Sequence, residues 1–146
     1  MMHGLYPALG RKGGLAMINS NVFDYINVLD KAADASWTRN EILSNNIANV
    51  DTPGYKREDL NFEDELERAL GHSKYKSMDK KVADLKDKHL KAIVVNDYPG
   101  FSYRTDKNNV DIETENVMLA ANQLKYQGLM EGLKSEFQNL SAVTKS

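Results

Sequence analysis

Apolar positions fall into helical stripes at both ends of the chain. From residue 21 to 50, Val22, Ile26, Leu29, Ala33, Ser36, Asn40, Leu43, Ile47 and Val50 alternate steps of four and three. That spacing predicts a long helix with a heptad seam, interrupted by polar residues at Ser36 and Asn40. Phe23 and Trp37 lie beside the seam and widen it. Pro53 ends the pattern, because the residue before a proline is pushed out of the helical region.

Residues 111–143 mirror this. Val117, Ala121, Leu124 and Gly128 form one stripe; Tyr126, Met130, Leu133, Phe137 and Leu140 form a second towards the C-terminus. Asp111 and Thr114 are both suitable N-caps. At 1.5 Å per residue each predicted helix is about 45 Å long. Two such helices side by side share only a narrow seam. The expectation is that the Val117–Leu124 stripe meets the first helix, while Leu133, Phe137 and Leu140 wait for another molecule.

The middle, 51–110, is less regular. Residues 57–71 carry six acids against two arginines, and Leu60, Phe62, Leu66, Ala69 and Leu70 suit a short helix ending at Gly71. Residues 72–91 carry seven lysines against three aspartates and read as a solvated loop or helix face. Ala92-Ile93-Val94-Val95 is a strand candidate, turned by Pro99-Gly100, with Phe101–Arg104 as a returning strand and Asp106–Asn109 as a further turn. The fold class expected is mainly α: two long terminal helices packed as a coiled-coil-like rod, with a short irregular middle segment holding a small β element. Residues 1–16 (Gly, Pro and two basic residues, with no apolar run) read as a tag, an upstream start artefact or a flexible extension, and residues 17–146 as a single domain.

Composition narrows the chemistry. With 146 residues, 19 basic and 21 acidic, the chain fits one domain and carries no basic excess that would draw nucleic acid. It has no cysteine, so thiol nucleophiles, disulfides and cysteine zinc sites are excluded. His3, His72 and His89 do not share a ligand spacing, and no phosphate loop or nucleophile elbow is present. No catalytic residue, cofactor, metal or small-molecule substrate is expected, nor direct insertion into a membrane. Asparagines are common in or near the helices, Asn40, Asn45, Asn46, Asn49 and Asn122 among them. Asparagine is a poor helix former, so its use there suits amides that bond across an interface.

Two motifs carry a resemblance. Glu41-Ile42-Leu43-Ser44-Asn45-Asn46-Ile47-Ala48-Asn49-Val50-Asp51-Thr52-Pro53-Gly54-Tyr55-Lys56 resembles the N-terminal signature of the bacterial flagellar rod and hook family. Asn108-Asn109-Val110-Asp111-Ile112-Glu113-Thr114-Glu115, followed by Ala121-Asn122-Gln123-Leu124-Lys125-Tyr126-Gln127, resembles its C-terminal signature. The short middle is similar to the proximal rod members. The resemblance implies a structural subunit of the basal body that transmits torque. Its implied partners are other rod subunits, membrane-ring adaptor proteins and the flagellar export apparatus. Family export substrates carry a phenylalanine with an apolar residue four places on; here Phe23 is followed by Asn27.

Within that reading Thr52-Pro53-Gly54-Tyr55 is a type II turn, with glycine where φ must be positive. Asn45, Asn46, Ala48 and Asn49 complete the helix end that the turn stops. Leu43, Ile47, Asn122, Leu124, Tyr126, Leu133, Phe137 and Leu140 are the expected assembly interface. The competing readings are a soluble helical adaptor, which heptads alone permit, and a small helical enzyme, for which no convergent polar site is visible.

Overall fold

The computed structural model describes residues 12–71, 76–87, 93–96 and 110–145, with side chains from Val22 onward. Helix α1 spans Lys12–Ala48 and helix α4 spans Ile112–Thr144. Between them lie strand β1 (Glu58–Asn61), helix α2 (Glu63–Leu70), helix α3 (Met78–Ala83) with a following 3₁₀ turn (Asp84–Asp87), and strand β2 (Ile93–Asn96). Helix α1 therefore begins inside the stretch read as an extension, as Leu15-Ala16-Met17-Ile18 is a run that helices tolerate. The two long helices are ~55 Å and ~50 Å at 1.5 Å per residue.

They pack antiparallel. Asn46 meets Glu115, Ser36 meets Asn122, and a Cβ on Gly132 would sit 3.8 Å from the Leu29 side chain. Helix α4 starts at Asp111, whose carboxylate accepts the Glu113 amide at 3.1 Å and the Thr114 hydroxyl at 2.8 Å. Both N-cap candidates thus act in one motif, with Asp111 as the cap. The Thr114 hydroxyl bond holds the Asp111 carboxyl below its ordinary range.

The middle segment closes over another side of α1. Leu60 and Phe62 bury themselves against Ala32, Ala35 and Ile42, with Leu66 and Leu129 packed on the same cluster. Leu60 lies in β1 rather than in the short helix, which begins only at Glu63. Helix α2 does end at Gly71, where φ is 69°. Strand β2 takes Ile93–Val95 of the predicted apolar run and adds Asn96, but its partner is β1, antiparallel with Leu60 opposite Val94. The returning strand Phe101–Arg104 and the turns at Pro99-Gly100 and Asp106–Asn109 lie outside the described residues. Part of the lysine-rich stretch forms α3, where Val82 and then Leu85 are buried. Tyr25 donates to Asp79 at 2.9 Å and ties α3 to α1.

Candidate functional site

The two signature motifs meet at the inner ends of α1 and α4. Asn46 is fully buried and makes four bonds there. Its Nδ2 donates to the Glu58 carbonyl at 2.7 Å and to Glu115 Oε2 at 3.0 Å. Its Oδ1 accepts the Glu58 amide at 3.1 Å and the Tyr55 hydroxyl at 3.2 Å. One amide thereby joins α1, the turn, β1 and α4, using both donors and both acceptor positions.

Glu115, 1% exposed, is the second hub. It pairs with Arg57 Nε, and Arg57 Nη2 also contacts Asp59 Oδ2 at 3.5 Å. Arg39 reaches the same aspartate with both prongs of its guanidinium, at 2.7 and 3.0 Å. Two arginines and two carboxylates therefore form one connected chain across three elements. Burial pushes the Asp59 carboxyl up, but the Arg39 bond, the Leu60 amide and the two guanidinium charges together hold it below the usual carboxylate range. The same carboxylate raises Arg39 above its ordinary value. Burial, with Glu58 and Glu115 nearby, raises the Tyr55 hydroxyl. Buried pairs of this kind add little net stability, yet removing one partner strands the other charge. Their effect here is to fix how the β1–β2 pair and the turn stand on the helices.

A second polar knot lies nearer the N-terminus of α1, at Ser36 and Asn40. Asn122 Nδ2 donates to the Ser36 carbonyl at 2.7 Å and to Asn40 Oδ1 at 2.8 Å, while the Ser36 hydroxyl donates to Asn122 Oδ1 at 3.2 Å. The polar interruption in the heptad is thus a register lock between the helices. A one-turn slip would leave these groups buried without partners.

The turn forms as expected. Gly54 has φ of 74°, and the Tyr55 amide donates to the Thr52 carbonyl at 3.2 Å across exposed Pro53. Helix α1 stops at Ala48. Asn49 caps it by donating its side chain to the Asn45 carbonyl at 2.8 Å and accepting the Thr52 hydroxyl at 3.1 Å.

The expected interface residues divide. Leu43, Asn122 and Leu133 are buried within the chain, and Ile47, Tyr126 and Leu140 are half-buried. Leu124 and Val117 are each 70% exposed. The expected roles of the two α4 stripes are thus corrected: Leu133 joins the intrachain seam and the Val117–Leu124 stripe faces outward. The phase of α4 is set by Glu115 and Asn122, and Val117 is two residues, about 200°, round from Glu115. Phe137 does remain outside, 55% exposed. Phe23 and Trp37 on α1 and Met130 on α4 are also exposed, and Trp37 stacks at a tilt on Tyr126 with ring centroids 5.8 Å apart. Beside Trp37 an open groove of about 550 Å³ runs between the helices, lined by Asn40, Glu41, Ser44, Asn45, Leu119 and Gln123.

Among the described residues no three histidines or carboxylates gather as a metal site, and no helix is long and apolar enough to cross a membrane. Among the described residues the buried charges and amides are bonded to one another across the elements. The arrangement offers a braced helix pair with a fixed turn and apolar outer faces. Residues 26–56, which hold the capped helix end and the turn, match the family model described as flagella basal body rod protein. The flagellar basal body rod protein FlgB of Buchnera aphidicola is 35% identical over 82% of this chain and 92% of its own length. The chain belongs to the flagellar basal body rod protein family. The FlgB proteins of Bacillus subtilis (31% identical, 81% of this chain, 91% of that protein) and Salmonella typhimurium (33%, 72% and 81%) are further relatives in it.

Reading the signature of this rod family alone misses Arg39, Arg57 and Asp59. Arg57 and Asp59 sit in a charged stretch and Arg39 in a polar break of the helix, and both read as solvent-facing until β1 is laid against α1. Glu115 carried a weak signal: it is seven residues before Asn122, in the same heptad position.

Proposed function

We propose that this rod-family protein is a non-enzymatic subunit of the proximal rod, polymerising with copies of itself and related rod proteins to carry motor torque. Membership of the family makes it a structural component of the flagellar basal body. The observation that carries the finer reading is the locked junction of Asn46, Arg57 and Glu115, which makes turn, strand and both helices one rigid body. A torque-bearing subunit needs that rigidity, whereas an adaptor with a mobile recognition loop does not. In this reading the export apparatus delivers the chain unfolded, and membrane-ring adaptor proteins meet the assembled base. Leu124 and Phe137 are the members of the expected interface that remain exposed for neighbours.

The test is deletion of the gene, with swimming and basal-body isolation as readouts and the wild-type gene returned as control. Loss of both, restored by the returned gene, is expected. Motile deletion cells with complete basal bodies refute the reading.

A further inference from the structure

Val117, Ala121, Leu124 and Gly128 turn outward on α4 at steps of four, three and four. All four are exposed, Val117 and Leu124 to 70%. They make a second heptad seam, on the side of α4 away from α1. Gly128 is not needed there by its own chain. Its φ is not positive, a Cβ on it would meet nothing within 4 Å, and glycine is a poor residue for a helix interior. Gly132, one turn on, differs, because the Leu29 side chain stands 3.8 Å from its Cβ position. A small residue facing open space between two large ones suits a socket for a side chain from outside.

The seam is complementary to itself in one register. Laid antiparallel with Ala121 facing Leu124 of a second copy, it also sets Val117 against Gly128 of that copy, and the two-fold axis repeats both layers. Every large side chain then meets a small one. Laid parallel, Leu124 faces Leu124 and Gly128 faces Gly128, which leaves voids at the small layers, and Glu131 faces Glu131. The edge charges agree. Glu113, Ala120, Gln127 and Lys134 are exposed at steps of seven along one flank of the seam. Antiparallel pairing brings Glu113 of each copy beside Lys134 of the other, so each ammonium lies between that carboxylate and Glu131 one turn back on its own helix. In a parallel pair Glu113 falls beside Met118 and Lys134 beside Asn139, and neither charge is met.

We propose that copies of this protein outside the filament form a closed antiparallel pair through the outer seam of α4, over residues 113–134. The contact uses the same patch on both copies, so it stops at two. It covers Leu124, which the rod reading leaves for neighbours. The overlap is about 22 residues, ~33 Å of helix. One narrow seam of that length lies at the small end of specific interfaces, so the pair forms at roughly micromolar concentrations and above.

The test is sedimentation velocity of the purified full-length protein over a concentration series, with melting by circular dichroism as the fold control. Wild type should pass from monomer to dimer and stop there. Leu124→Glu and Gly128→Leu should each weaken pairing about tenfold or more without lowering the melting temperature, since both positions are exposed in the monomer and leucine favours the helix. Lys134→Glu should weaken it several-fold, and Glu113→Lys in the same chain should restore it. Protein that stays monomeric, growth past two copies with no dimer plateau, or variants that pair like wild type overturn the proposal. A second readout uses the absence of native cysteine. Val117→Cys mixed with Gly128→Cys should form a disulfide under mild oxidation several-fold faster than either variant alone, because in this register each position lies about 11 residues, ~16 Å, from its own counterpart. Self-crosslinking as fast as mixed crosslinking overturns the register. The pair stands apart from the rod reading: motile deletion cells remove the rod and leave the pair, and a monomeric protein does the reverse.

Discussion

Replacing Asn46 by alanine tests whether the signature asparagines brace the subunit or bind neighbours. The side chain is 0% exposed and makes four bonds. Truncation leaves the Glu58 amide and carbonyl, the Tyr55 hydroxyl and Glu115 Oε2 each without one partner. Tyr55 is half-buried and Glu58 exposed, so water replaces part of what is lost. Glu115 is 1% exposed and keeps its ion pair with Arg57. An ordinary bond contributes about 1 kcal/mol net, and a stranded buried group costs about 1–3 kcal/mol. The expected loss is therefore about 2–4 kcal/mol, or a fall in Tm of roughly 5–15 °C for a chain near this size. Asn45 provides the control: it is exposed, and its carbonyl, not its amide, makes the helix-end bond. Asn45→Ala should change stability by less than about 0.5 kcal/mol. The assay is urea unfolding of both variants followed by circular dichroism, with swimming scored in parallel. Equal stability of Asn46→Ala and wild type would refute the brace, as would an Asn45→Ala loss as large.

Gly54→Val puts a β-branched residue at φ 74° and should cost roughly 1–3 kcal/mol; full swimming at normal protein level, with unchanged urea unfolding, contradicts the type II turn. Leu133→Ala should cost about 2–5 kcal/mol as an intrachain cavity, while Phe137→Asp should leave thermal melting nearly unchanged and prevent rod assembly; the reverse pattern in melting and basal-body yield places the seam wrongly. The Asp59 carboxyl is held below its unfolded value of about 3.9, so its contribution is present above that pH and is lost as pH falls through the lower folded value. Asp59→Asn should therefore flatten the acid side of the stability–pH curve below about pH 4; an unchanged acid limb rules the linkage out.

The sequence by itself determined what local chemistry controls. The seam through Ala33, Ser36 and Leu43 follows from spacing, a cap at Asp111 or Thr114 from residue type, and the end of the first helix before Pro53 from the proline itself. Family membership was legible for the same reason, because both signatures are contiguous and sit at helix ends. Only the tertiary structure decided the rest. Helix α4 carries two apolar stripes of similar strength, and periodicity does not say which one turns inward. That choice was made by Glu115 and Asn122, polar residues whose partners Arg57, Asn46, Ser36 and Asn40 are brought opposite them only by the fold. Leu60 entered a strand rather than a helix because pairing with Val94 and burial against Ala32 and Ile42 outweigh a weak local preference. Charges and amides take their meaning from the group across the interface, and that group lies 58 residues away for Arg57 and Glu115 and 86 for Ser36 and Asn122. Spacing along the chain does not carry that information; packing does.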